Sequence, residues 1–256
     1  MPTIPANPSF RERLPRLYEL RDMVEDAARP DAYFQNFEDG LAEHKSKLAA
    51  FLKLERQLAV LDERAWPDLK ERAAAVLQKR EPGRGWRLLF DVFSEARAYG
   101  YLVSLGCTGV RFIPRSKRKT PDLAATLAGE PAFCEVKTIN ISGEEADKRR
   151  RIGEGEMIGG SVSITLSQGF LDKLTATFEH AIGQLDAADP ERKAHRFVFA
   201  MVHFDDWVGD YQPEYFAQMD AHLRRHPVAD AQLVFCPASN LFERNFAMTM
   251  ATVLPE

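Results

Sequence analysis

The chain has 256 residues, of which 45% are hydrophobic, a size and composition typical of a globular protein of one or two domains. Its net charge of −4 argues against a generally basic protein that coats nucleic acid. No apolar run is long enough to span a membrane and the N-terminus lacks the pattern of a signal peptide, so we expect a cytoplasmic protein with no membrane partner. The three cysteines show no metal-ligand spacing and are predicted to be reduced core residues.

The first 80 residues are predicted to be entirely helical. Apolar residues recur at helical spacing, which predicts helices over 9–28 and 31–62 and a third after Pro67. These helices carry apolar stripes and must therefore pack against another surface. The segment 81–85 is rich in glycine and proline and is predicted to link this region, residues 1–80, to a second domain formed by residues 81–256.

The second domain alternates between predicted helices and strands, which indicates an α/β fold. Two segments differ from this regular pattern: 141–160 is polar and glycine-rich and is predicted to be a loop, and 161–166 alternates and is predicted to be a strand. The remaining predicted elements, in chain order, are a helix at 86–105, strands at 108–113, 122–127 and 131–139, a helix at 168–185, a strand at 196–204, a helix at 213–225 and a strand at 232–236.

The strand predicted at 131–139 places an acid and a base side by side. Successive side chains of a strand point to opposite faces, so Glu135 and Lys137 share a face and have Cα atoms roughly 6–7 Å apart. The opposite face is apolar and carries Ala132, Cys134 and Val136. The strand therefore has one face suited to a core and one face suited to chemistry.

The preceding strand adds Asp122 to the same face for several possible turns. With a loop of Ala128-Gly129, or a four-residue loop at 127–130, Asp122 lies opposite Glu135. With a loop of Gly129-Glu130 it lies opposite Lys137. An odd-length loop without a bulge would move Asp122 to the other face. Even-length loops also align the apolar residues of both strands, and the pattern favours them.

Two carboxylates and a lysine on one face suit the hydrolysis of phosphodiester bonds. Carboxylate oxygens from Asp122 and Glu135 are the ligands that Mg²⁺ or Mn²⁺ prefers. Such a metal lowers the pKa of a bound water and neutralises charge that develops on the phosphate. The ammonium group of Lys137 can position that water or stabilise the developing charge.

Asp122, followed by Glu135-Val136-Lys137, resembles the signature of the PD-(D/E)xK nuclease superfamily. The resemblance implies a restriction-endonuclease-like core, a central mixed sheet flanked by helices, with Mg²⁺ or Mn²⁺ as cofactor. It implies an endonuclease acting on nucleic acid, with Asp122 and Glu135 as metal ligands and Lys137 as the catalytic lysine. Many members carry a glutamate on the first core helix, which implies that Glu95 is a further catalytic metal ligand.

Basic and polar residues around this motif are candidates for binding the phosphates of the substrate. A basic run lies just before Asp122, and a second run covers 148–151. Some nucleases of this fold place a lysine or glutamine on the helix predicted here at 168–185, which adds two further candidates. The predicted phosphate-binding residues are Arg115, Lys117, Arg118, Lys119, Lys173 and Gln184.

Several alternatives remain open. The same fold could serve as an inert nucleic-acid-binding or scaffolding protein, or the hairpin could be a solvated surface pair with no catalytic role. DNA is favoured over RNA as the partner by the habits of the family and not by any residue of this chain. Residues 1–80 could pack on the second domain, form a homodimer interface or clamp DNA.

Overall fold

A mixed β-sheet lies between two layers of helices, as the sequence predicted. The computed structural model describes residues 9–24, 33–114, 120–159, 163–205, 211–227, 231–237 and 252–253. The five main strands are β1 (Thr108–Phe112), β2 (Leu123–Leu127), β3 (Glu130–Ile139), β4 (His195–Val202) and β5 (Gln232–Pro237). A two-residue strand, β6 (Thr252–Val253), pairs with β5. The mixed α/β class and the sheet flanked by helices are therefore confirmed.

The strands follow one another across the sheet in chain order. The first three form an antiparallel meander, and β4 and β5 then add in parallel to β3. Parallel neighbours need a long crossover connection, and helices supply it between β3 and β4 and between β4 and β5. The helices are α1 (Phe10–Arg13), α2 (Pro15–Asp22), α3 (Phe37–Glu43), α4 (Lys45–Ala59), α5 (Ala65–Ala74), α6 (Arg87–Ser104), α7 (Gly143–Gly153), α8 (Gln168–Ala188) and α9 (Gln212–Arg225).

The alternation of side chains along the strands gives the sheet two apolar faces with separate cores. One core joins helices α2 to α6 to the sheet and includes Leu17, Leu58, Leu69, Leu102, Leu123, Cys134 and Phe199. The other joins α8 and α9 to the opposite face and includes Leu174, Phe178, Met219, Ile139, Val198 and Phe235. We call these the α6 face and the α8 face of the sheet.

The helices before residue 80 pack on α6 and share its core. Burial of apolar side chains between α4, α5 and α6 is thus the contact that the structure shows for this region. The use of residues 1–80 as a homodimer interface or DNA clamp stays a prediction. Within the described ranges, no helix has both the length and the apolar content needed to cross a membrane.

The predicted helices at 9–28 and 31–62 are each interrupted in the structure. The first breaks at Leu14 because Pro15 begins a new helix, a position that proline favours. The second breaks at His44, which has an extended backbone between α3 and α4. Parts of both predictions, at 25–32, lie outside the described residues.

The loop predicted at 141–160 is wrong over much of its length, because α7 occupies Gly143–Gly153. Ser142 caps this helix, and its hydroxyl accepts a hydrogen bond from the Glu145 N–H at 3.0 Å. A serine followed three residues later by a glutamate is a known start signal for a helix. The strand predicted at 161–166 is wrong for residues 163–166, which are irregular, while 161–162 lie outside the described residues.

The hairpin between β2 and β3 has a two-residue turn. Leu127 pairs with Glu130 and Leu123 with Cys134, which confirms the register predicted for an Ala128-Gly129 loop. Both turn residues have positive φ, 51° at Ala128 and 91° at Gly129. This backbone matches the right-handed twist of the strands and is favoured in two-residue hairpins.

The turn predicts a measurable cost for a side chain at Gly129. Its φ of +91° is strained for other residues, although a Cβ there would meet no atom within 4 Å. Gly129→Ala is therefore expected to lower the free energy of unfolding by about 1 kcal/mol. Gly143→Ala is the control, because that position also has open space but no positive φ. Urea denaturation of both variants tests this, and equal stability of the two would contradict it.

Candidate functional site

Asp122 lies where three strands meet, immediately before β2. Its backbone carbonyl accepts a hydrogen bond from the Ile113 N–H at 2.8 Å, which extends the pairing of β1 and β2. Its side-chain Oδ2 accepts a hydrogen bond from the Val136 N–H of β3 at 2.7 Å. A carboxylate thus takes the place of a backbone carbonyl at the point where β2 and β3 separate. Asp122 has a structural role in addition to any chemical one.

Glu135 lies opposite Asp122 on the α8 face and is almost completely buried, with 2% of its surface exposed. Its Oε1 forms an ion pair with Lys137 Nζ. Its Oε2 is buried and has no hydrogen-bond donor while both acids are ionised. Desolvation of such an oxygen is costly, so the site favours either a proton or a cation beside it.

The two carboxylates affect each other's ionisation. The pKa of Glu135 is raised to about 7, chiefly by burial and next by the negative charge of Asp122, while the ammonium of Lys137 opposes both effects. A hydrogen bond between the two carboxyl groups also contributes, which requires a shared proton. Near neutral pH the pair therefore carries a proton for part of the time.

Lys137 joins the acids to helix α8. Its Nζ donates hydrogen bonds to Glu135 and to Gln184 Oε1, the latter at 2.6 Å. The lysine side chain is 18% exposed. Asp122, Glu135, Lys137 and Gln184 form a continuous polar group, which we call the acidic cluster.

Glu95 is not part of this group in the structure. It lies on α6, is buried, and forms an ion pair with Arg72 of α5. The Arg72 guanidinium in turn lies over the ring of Phe112, 4.6 Å from its centre. Within the described ranges, no three acidic, histidine or cysteine side chains are grouped closely enough to hold a metal ion. The role of Glu95 as a metal ligand stays a prediction.

The predicted phosphate-binding residues fall into three groups. Arg115, Lys117, Arg118 and Lys119 lie outside the described residues. Gln184 lies in the acidic cluster. Lys173 lies at the exposed surface of α8, where its Nζ donates to the Asn140 carbonyl at 3.0 Å. Partial burial and the nearby charge of Arg84 lower the pKa of Lys173, while Asp205 opposes this.

One feature of the site was missed by sequence reasoning. The Val136 N–H, which anchors Asp122, belongs to the main chain and carries no side-chain signal. The lengths of the two strands could have indicated this contact. The strand β2 begins after Asp122, whereas β3 continues to Ile139, so the N–H and C=O groups at the end of β3 need hydrogen-bond partners outside β2.

The residues present fit a small divalent cation. Mg²⁺ and Mn²⁺ bind one or two carboxylates and complete their coordination with water and phosphate oxygens. Asp122 and Glu135 supply two such groups, and the buried Glu135 Oε2 lacks a donor that would compete for it. A cation there would relieve the repulsion that raises the pKa of Glu135.

Comparison of the chain with protein-family models, curated proteins and solved structures gave no match in any of the three. The function is therefore inferred from the geometry and chemistry of the acidic cluster.

The raised pKa of Glu135 predicts a pH-dependent stability. The folded protein binds this proton more tightly than the unfolded chain, so the stabilisation is complete below about pH 4.5 and is lost as pH rises through about 7. The free energy of unfolding of the unaltered protein is therefore expected to fall by on the order of 1–3 kcal/mol between these two pH values. Glu135→Gln is expected to abolish this fall. Denaturation in the presence of EDTA measures it.

Glu130→Gln is the matched control, because Glu130 lies on the same strand but is exposed. It is expected to keep the pH dependence of the unaltered protein. If Glu135→Gln kept that dependence too, protonation of the acidic cluster would not be its source.

Proposed function

We propose that this protein is a divalent-metal-dependent nuclease that hydrolyses phosphodiester bonds in DNA. The observation that carries the proposal is the acidic cluster, in which Asp122 and Glu135 lie opposite each other and Lys137 donates to Glu135. A buried carboxylate, a half-buried carboxylate and a partly exposed lysine side chain are suited to a metal ion and a phosphate.

The order of elements supports a restriction-endonuclease-like core. A helix, α6, precedes the antiparallel meander of β1, β2 and β3, and α8 then leads to β4, which is parallel to β3. The resemblance of the motif implies a helix, a three-stranded meander, a second helix and a further strand in that order, and α7 is an additional helix before α8. Asp122 lies immediately before β2, and Glu135 and Lys137 lie within β3, which supports this proposal.

Each residue of the acidic cluster has a distinct task in the proposed reaction. Asp122 and Glu135 would hold Mg²⁺ or Mn²⁺, which supplies a Lewis acid and lowers the pKa of a bound water. Lys137 orients the attacking water and stabilises negative charge on the phosphate. Gln184 fixes the position of the ammonium through its hydrogen bond at 2.6 Å. Glu135 must be ionised for this task, so activity is expected to rise with pH through about 7.

Helix α8 offers a route for the phosphate backbone of the substrate. Lys173 and Gln184 are separated by three helical turns and lie on the same side of the helix, about 16 Å apart. The ammonium of Lys173 at the surface can bind a flanking phosphate while the acidic cluster holds the one that is cleaved.

A second candidate function is an inert nucleic-acid-binding protein on the same fold. One observation favours it: within the described residues, the acidic cluster brings together only two carboxylates, and Glu95 is paired with Arg72. The two functions differ in metal binding and in turnover.

The proposed nuclease predicts nicking or degradation of plasmid DNA with Mg²⁺ or Mn²⁺ and none with EDTA. Asp122→Asn keeps an oxygen for the Val136 N–H but loses the charge, so it is expected to fold and to lose at least about a hundredfold in rate. Glu130→Gln is expected to cleave at the normal rate. Cleavage by Asp122→Asn at the normal rate would exclude the assignment.

Metal binding separates the nuclease from the inert alternative. Calorimetric titration with Mn²⁺ is expected to show binding that strengthens from about pH 6 to about pH 8, because Glu135 must lose its proton. Glu135→Gln is expected to weaken this binding. Salt-sensitive DNA binding with no Mn²⁺ binding would support the inert protein instead.

A further inference from the structure

Two histidines lie at the end of α9, beside a groove between this helix and α8. His222 and His226 are four residues apart, and the His226 N–H donates to the His222 carbonyl at 2.9 Å, which continues the helical turn. Residues at this spacing lie on the same side of a helix, and two histidines so placed are a known arrangement for binding zinc. We call His222 and His226 the histidine pair.

The spacing of the two imidazole rings fits a shared metal ion. Their centres are 4.6 Å apart and their planes are inclined by 38°. A zinc ion bonded to one nitrogen of each ring at about 2.0–2.1 Å would lie about 3.2 Å from each ring centre. For bond angles between about 90° and about 110°, the ring centres would then be about 4.5–5.2 Å apart. The helix therefore already holds the rings at the separation that a shared ion requires.

A hydrogen bond to α8 determines which nitrogen of His222 carries the lone pair. Thr175 Oγ1 donates its only proton to the Leu171 carbonyl at 3.3 Å and lies 2.9 Å from His222 Nε2. The hydroxyl must therefore accept a proton from Nε2, which leaves the lone pair on Nδ1. Among the residues that the structure describes, Nδ1 has no hydrogen-bond partner. A histidine that donates from one ring nitrogen to an oxygen and keeps the other for the metal is the usual arrangement in metal sites.

The groove gives a cation access to the histidine pair. It has a volume of about 490 Å³ and is lined by Thr175, Glu179 and Asp186 of α8 and by His226 and Pro227. Glu179 is exposed and forms no hydrogen bond or ion pair with the described residues. Its carboxylate therefore adds a negative charge to the groove that no neighbouring cation neutralises.

The surroundings of His222 keep its imidazole neutral. Burial lowers the pKa of His222, and the charges of His226 and Arg225 on α9 lower it further, whereas Asp172 of α8 opposes these effects. The neutral imidazole is the form that binds a metal. The last carbonyls of α9 carry a partial negative charge, which also favours a cation at this end of the helix.

We propose that the histidine pair binds a divalent transition-metal ion of the Zn²⁺ class. Imidazole nitrogens suit Zn²⁺, Ni²⁺ and Cu²⁺, whereas the carboxylates of the acidic cluster suit Mg²⁺ and Mn²⁺. The described residues contain no group of three ligand side chains, so water completes the coordination of the ion. The histidine pair shares no residue with the acidic cluster, and the proposal does not depend on the nuclease assignment.

Zinc titration of the full chain tests the proposal. Calorimetry is carried out with the Glu135→Gln chain, in which the acidic cluster has lost a carboxylate, and is expected to show saturable Zn²⁺ binding near neutral pH. His226→Gln in this chain is expected to weaken binding at least about tenfold, because it removes one of two ligands. His44→Gln is the matched control, because His44 is an exposed histidine that precedes α4, and it is expected to leave the affinity unchanged.

Thr175 tests the orientation of His222 without a change to either histidine. Thr175→Val keeps the shape of the side chain but removes the oxygen that accepts from Nε2, so it is expected to weaken Zn²⁺ binding about tenfold. Thr175→Ser restores the hydroxyl and is expected to restore the affinity. Equal affinities of the valine and serine variants would contradict the orienting role of the hydroxyl.

The X-ray absorption spectrum of the zinc-loaded Glu135→Gln chain identifies the ligands. The proposal predicts two imidazole nitrogens at about 2.0–2.1 Å, with oxygen atoms in the remaining positions. Zinc bound through oxygen alone, or equal weakening by His226→Gln and His44→Gln, would overturn it. Since every titration uses a chain that lacks the Glu135 carboxylate, failure of the nuclease assignment leaves these results interpretable.

Discussion

The pairing register of β2 and β3 is the constraint on which the acidic cluster depends. A slip of one residue would turn Asp122 to the α6 face, so that Glu135 would no longer lie opposite a second carboxylate. The turn at Ala128 and Gly129 fixes that register through two residues with positive φ. Burial of Leu123 beside Cys134 on the α6 face favours the same register, because a slip of β2 by one residue would remove Leu123 from that core. The core and the candidate site therefore require the same alignment of strands.

The acidic cluster combines stabilising and destabilising contacts. Asp122 stabilises the junction of the strands through the Val136 N–H, and Lys137 stabilises Glu135 through an ion pair. The buried carboxylate of Glu135 close to Asp122 is unfavourable, as its raised pKa shows. Active sites often keep such unfavourable charges because a ligand or a reaction uses them. A proton relieves the repulsion at low pH, and a divalent cation would relieve it when Glu135 is ionised.

Sequence patterns were sufficient where local periodicity and tertiary packing agree. Alternation and even loop length predicted that Asp122 would face Glu135, and helical spacing predicted α6 and α8 closely. Helix α7 was missed although Ser142 and Glu145 carry a start signal, because its polar composition resembles a loop. The pairing of Glu95 with Arg72 joins two helices far apart in sequence, and no local pattern specifies such a partner.

The central claim is that Asp122 and Glu135 bind one divalent cation between them. A crystal of the full chain grown near pH 8 with Mn²⁺ tests it most directly, through the anomalous scattering of the metal. The account predicts one strong anomalous peak in contact with oxygens of both carboxylates, with Lys137 still bonded to Gln184. An acidic cluster without such a peak at millimolar Mn²⁺, or a peak bound to only one of the two acids, would contradict it.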